Sequence, residues 1–216
     1  MSSQIKLLVL NKHYEPHQWL SLEEAITAEA KDQVIEHLGE SIFVYRGGTN
    51  RDGVASSIET SSIIVIEGIA PYKVSLKPPS LTNMSLFQRD RFMCAYCGQK
   101  FKSMDLTRDH VKPRSRGGPD SWMNVVASCK GCNSLKDDTL PGQKLPKDTN
   151  GRQIFGPQGT GFMDPLYVPY VPCKVEHMIM RNRNIKADQM QFLLERVHNR
   201  HSRIFDYAKD LFAEAA

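Results

Sequence analysis

Cys94-Ala95-Tyr96-Cys97, Asp109-His110-Val111-Lys112-Pro113-Arg114-Ser115-Arg116-Gly117-Gly118 and Cys129-Lys130-Gly131-Cys132-Asn133-Ser134-Leu135-Lys136 are the stretches that decide the fold. Two C-x-x-C pairs bracket an Asp-His dipeptide. Each pair can form a tight knuckle that offers two thiolates to one tetrahedral ion, and Gly98 suits the turn after Cys97. Four thiolates select Zn2+ over hard cations and leave no open coordination position. Such an ion sets fold rather than chemistry. The stretch from Cys97 to Cys129 is too long for an ordinary small finger, yet long enough for a hairpin whose ends the ion clamps. A redox dithiol needs only one pair, and an iron–sulfur centre is the other use of four thiolates. Cys173 stands alone and reads as a small buried hydrophobe or a surface thiol.

Working outward, Leu106–Val111 reads as a strand that ends in polar chemistry. Pro113, Gly117 and Gly118 open a loop carrying Lys112, Arg114 and Arg116. Val125-Val126-Ala127 supplies a second strand. Ser128 is placed to cap a helix running through Asn133 and Lys136. Cys129, Cys132, Asn133 and Lys136 then fall at i, i+3, i+4 and i+7 and share one side of it. Asp109 offers a hard carboxylate and Asn133 a neutral carbonyl oxygen. With phosphate and water they suit Mg2+ or Mn2+. His110 points to the other side of the strand and is an efficient base at neutral pH. Phosphodiester hydrolysis needs these parts: an activated water and neutralised phosphate charge.

The combined pattern resembles the HNH endonuclease family with its ββα-metal fold. The subgroup reads C-x-x-C, D-H-x-x-P-x-S-x-G-G, an Asn, then C-x-x-C-N-x-x-K, and Asn124 fills the middle position. The resemblance spans about residues 88–140. It implies catalytic roles for His110, Asp109, Asn124 and Asn133, with Asn124 bonding the loop that orients His110. It implies 5′-phosphate and 3′-hydroxyl products. Asn133 stands where many members have His, as in RNA-guided nucleases with HNH domains, and this argues for a harder metal.

The chain has 216 residues and a net charge of +4. The charge is uneven: −3 over residues 1–88, +5 over 89–144 and +2 over 145–216. The surplus coincides with the candidate site and reads as a polyanion footprint. Arg108, Lys112, Arg114, Arg116 and Lys136 are the candidate phosphate contacts. Such contacts give affinity without sequence choice. The opening residues carry one lysine and a short apolar run without a small-residue cleavage site, which argues against an export signal. No run is long enough for a membrane span. A cytoplasmic setting is expected, or the host cytoplasm for a phage protein.

The expected fold is α+β. A small α/β unit occupies 1–80, the ββα-metal domain with its zinc site 81–140, and a Gly/Pro-rich connection with C-terminal helices 141–216. Strands are expected at Ile5–Leu10, Ser41–Tyr45 and Ser62–Glu67, the last being central. Ser21 and Glu24 form a capping-box pattern that opens a helix over Leu22–Leu38. Pro71, Pro78 and Pro79 mark a linker or a stiff ordered crossing, followed by a helix over Leu81–Arg91. Asp188 is expected to cap one late helix, and a second begins near Arg203. DNA is the expected partner, with RNA also open. Double-strand cutting would call for a homodimer or two encounters. The rival readings are a zinc-stabilised nucleic-acid-binding module without cleavage, an RNA endonuclease, and a structural protein whose zinc site supports an interface.

Overall fold

The computed structural model describes residues 5–68, 78–182, 184–199 and 202–213. In chain order the strands are β1 (Lys6–Leu10), β2 (Pro16–Ser21), β3 (Val34–His37), β4 (Ile42–Thr49), β5 (Ala55–Ser61), β6 (Ile63–Ile66), β7 (Leu106–His110) and β8 (Val125–Cys129). The helices are α1 (Leu22–Glu29), α2 (Asn83–Arg89), α3 (Lys130–Lys136), α4 (Lys174–Arg181), α5 (Ala187–Leu194) and α6 (Ile204–Ala213). The fold is α+β. No described helix is long and apolar enough to cross a membrane.

Contacts group the chain into two units. One comprises Met1–Lys77, Met178–His198 and Leu211–Ala216, the other Pro78–His177 and Asn199–Asp210. This differs from the three consecutive segments read from sequence. Part of the C-terminal stretch groups with the N-terminal sheet, a contact across a long stretch of chain that leaves no local pattern in the sequence.

In the first unit, a four-stranded sheet has the order β2-β1-β6-β3. Strands β1 and β6 run parallel; β2 and β3 flank them antiparallel. All four residues of β6 are buried, as expected of a central strand covered on both faces. Leu7, Val9, Ala25, Ala28, Ile64 and Ile66 form the core. Ser21 and Glu24 make the expected capping box. The helix it opens stops at Glu29 instead of Leu38. Asp32 takes a positive φ of 54°, and the chain turns there into β3. The apolar residues at Val34 and Leu38 therefore do not extend a helical stripe. The β4–β5 hairpin belongs to the same unit.

On α5, Gln189 is fully buried and donates to the carbonyls of Lys6, at 2.9 Å, and Ser62, at 2.7 Å. Asp188 accepts from the Ser62 hydroxyl and from the backbone amides of Glu40, at 2.9 Å, and Ser41, at 3.2 Å. Asp188 therefore tethers other loops, and the N-cap position that the sequence assigns to Asp188 is held by Lys186 instead. Pro71 lies outside the described residues.

The second unit contains the β7–β8 hairpin, helix α3 against it, and α2. Arg89 is buried and organises this unit. Its guanidinium pairs with Asp90 at 2.7 Å and donates to the carbonyls of Trp122, Tyr170 and Val125 at 2.9, 2.9 and 2.7 Å. The Gly/Pro-rich stretch after α3 has no helix or strand before α4, yet it docks. Leu145 and Met163 pack in the cluster that holds Cys94 and Cys132. Leu166 N donates to Ala95 O at 2.7 Å. Helix α4 has no counterpart in the sequence reading.

Candidate active site

The two cysteine pairs meet. The four sulfurs of Cys94, Cys97, Cys129 and Cys132 all lie within 4.8 Å of one another. A zinc ion bonded at about 2.3 Å to each thiolate needs sulfurs roughly 3.8 Å apart, so the cluster is close enough to hold a metal. Both knuckles are prepared locally. Tyr96 N donates to Cys94 Sγ and Cys132 N to Cys129 Sγ, each at 3.4 Å. Gly98 adopts a φ of +72° that only glycine takes without strain. Ala95 N bonds Ala127 O at 2.8 Å, tying the first knuckle to β8. Cys129 caps α3 in the place expected for Ser128, so one sulfur is both cap and candidate ligand.

Strand β7 sorts the polar residues by its twofold alternation. Asp109 and Thr107 share one face and meet α3; Arg108 and His110 share the other. Asp109 is buried. Its carboxylate accepts from the Tyr96 hydroxyl and from Lys136 Nζ, the latter at 3.2 Å. Burial pushes the Asp109 carboxyl up, against the lowering pull of Tyr96 and Lys136. Burial, then the Asp109 charge, raises the Tyr96 phenol far above its ordinary value. Asn133 Nδ2 donates to Thr107 Oγ1 at 3.0 Å. Asp109 and Asn133 are thus brought to one side of the hairpin.

On the opposite face, His110 Nε2 lies 2.9 Å from Asp120 Oδ1. The imidazole is 16% exposed, so solvent reaches it. Asn124 closes the loop between the strands. It accepts from Lys112 N at 2.9 Å and donates to Lys112 O and Pro119 O at 3.0 and 2.8 Å. A Cβ on Gly118 would lie 1.8 Å from Lys112 O. This close backbone approach is the physical reason for glycine there.

Residues 94–145 match the family model described as HNH endonuclease. This stretch is similar to the HNH endonuclease family. No curated protein matches the chain. The match supports a nuclease type of function, which implies a nucleic-acid substrate.

Within the HNH stretch, the five candidate phosphate contacts have separated. Lys112 and Arg114 are exposed. Arg116 is exposed but pairs with Asp138 at 3.1 Å. Arg108 is engaged by Asp120, by Asn83 at 3.1 Å and by the Leu81 carbonyl at 3.2 Å. Lys136 departs furthest from the surface role expected of it. It is 1% exposed, and its ammonium spans Asp109 and the His110 carbonyl, at 2.9 Å. Burial of the unpaired Asp109 charge would be costly, and the lysine's long stem lets it answer that charge. Sequence reasoning missed Tyr96, Thr107 and Asp120. Tyr96 lies inside the first C-x-x-C, and Thr107 lies two residues before Asp109 on the same strand face; period-two alternation could have marked the latter.

Proposed function

We propose that the chain is a metal-dependent endonuclease that hydrolyses DNA phosphodiester bonds. His110 is the general base, Asp109 and Asn133 hold Mg2+ or Mn2+, and the four cysteines hold structural zinc. The observation that carries this reading is the sorting by β7. Asp109 and the anchor of Asn133 share one face, while the adjacent His110 stands on the other. A base and a hard-ion ligand pair thus flank one strand end.

The donor set fits such an ion. Asp109 uses one lone pair on each oxygen for Tyr96 and Lys136, which leaves a second on each. Asn133 gives its amide hydrogen to Thr107, so its Oδ1 is the atom free to ligate. Carboxylate and amide oxygens suit hard cations. Lys136 competes for the same carboxylate, so weak, exchangeable binding is expected. The ion, when bound, polarises the phosphate and stabilises the leaving oxygen.

His110 takes the proton of the attacking water, a role typically worth roughly 10²–10⁴ in rate. Asn124 holds the loop that follows His110. Lys112 and Arg114 meet backbone phosphates, which gives affinity without sequence choice. One site per chain cuts one strand at a time. Incubation of purified protein with supercoiled plasmid and each divalent ion in turn tests the reading. Nicking that requires Mg2+ or Mn2+ and is absent in His110→Ala is expected. DNA binding without cleavage under every ion would reject it.

A further inference from the structure

The partner of His110 carries information about which ring nitrogen works. Asp120 Oδ1 faces Nε2 at 2.9 Å. Both oxygens of Asp120 also accept from Arg108, at 3.0 and 2.9 Å. Arg108, followed by His110, holds the Asp120 carboxyl below the usual carboxylate range. An ionised carboxylate can only accept, so the hydrogen in the His110–Asp120 contact sits on Nε2. The lone pair of a neutral imidazole is then on Nδ1.

The loop around Asp120 is anchored on both sides. Pro119 O is held by Asn124 Nδ2 at 2.8 Å. Trp122 is buried with its Nε1 on Pro79 O at 2.8 Å. Asp120 is therefore delivered by a fixed backbone on a short side chain. Its carboxylate is 44% exposed, and an ion pair so open to water adds little stability. Orientation of the imidazole is the physical return that remains.

We propose that Asp120 is a positioning residue for His110, fixing the tautomer whose Nδ1 accepts the proton of the attacking water. The inference rests on the nuclease reading of this site and names the working atom and its orienter. An outer carboxylate on a working histidine fixes its tautomer and ring orientation in metal sites as well.

The test uses the full-length, zinc-loaded protein and Asp120→Asn. The expected result is a kcat about 10–100-fold lower, with KM for plasmid DNA and zinc content held. In the wild type, ¹⁵N spectra of the imidazoles at alkaline pH, assigned with His110→Ala, should show His110 protonated on Nε2. In Asp120→Asn that preference should weaken. Asp120→Glu should recover part of kcat. An unchanged or higher kcat in Asp120→Asn overturns the proposal, as does a wild-type His110 protonated on Nδ1. If Asp120→Asn fails to fold, the wild-type spectrum decides alone. If the wild type cleaves no DNA under any divalent ion, the nuclease reading falls, while the spectrum still judges the Asp120 contact.

Discussion

The two units hold themselves together by different means. The first has a sheet whose central strands β1 and β6 are apolar and buried almost throughout. Its polar additions, Gln189 and Asp188, complete backbone hydrogen bonds at the sheet. The second unit surrounds its hairpin with two small apolar clusters, one containing Cys94 and Cys132. Around them it buries Arg89 with Asp90 and Lys136 with Asp109. A sheet core is made by area removed from water; the second unit, called the HNH unit for the stretch that matches, adds a cluster of four cysteines and buried paired charges to its smaller apolar clusters. The price is sensitivity to single polar changes.

That contrast can be broken most directly at the cysteines. Chelation, or Cys129→Ser, should abolish the thermal transition of the HNH unit and leave that of the sheet unit in place. Structural zinc binding is worth an apparent figure of about 10–16 kcal/mol in small domains. Calorimetry with zinc analysis reads this, and an unchanged scan after full metal loss would remove the metal from the account. His110→Ala comes next. It should cost about 10²–10⁴ in cleavage rate while zinc content, DNA affinity and both transitions persist. Loss of folding along with activity would show that His110 supports the hairpin instead.

Lys136→Met should destabilise the HNH unit by about 3 kcal/mol, the lower part of the range for breaking a buried pair. The low figure follows from Asp109, whose carboxyl is already pushed up by burial and can take a proton when its partner is gone. Urea titration of the variant checks this; a midpoint equal to wild type would deny the pair any stabilising role. The smallest effect belongs to the sheet unit. Burial raises the Asp188 carboxyl, but hydrogen bonds from Ser62, then Ser41, Gln189 and Glu40, outweigh it and hold it below its ordinary range. A depressed folded-state pKa contributes stability above the unfolded value, near 3.9, that is lost as pH falls through the folded one. Asp188→Asn should therefore lower stability slightly at neutral pH and narrow its gap to wild type in strong acid, as read from unfolding midpoints at both pH values.

Much of the HNH unit was legible because its signals are local. C-x-x-C spacing, the Asp-His pair and the helix register of Cys129, Cys132 and Asn133 each concern neighbours within one turn or one strand. Strand β6 was legible for the same reason, as a continuous apolar run. The helix expected over Leu22–Leu38 failed because apolar spacing alone does not reveal the turn at Asp32. Strand β2 and helix α4 went unread. The cap expected at Asp188 falls to Lys186, since Asp188 answers loops far away in sequence.

The amino-acid order alone determined which ligand types this protein owns and which of them share a helix side or alternate across a strand, because rise and period act over a few residues. Tertiary structure alone decided who partners whom. Lys136 turns inward to Asp109, Thr107 receives Asn133, and Asp120 comes to His110 over a loop pinned by Asn124 and Trp122. A buried charge or amide takes the nearest complementary group once the chain has folded, and sequence distance does not report which group that will be.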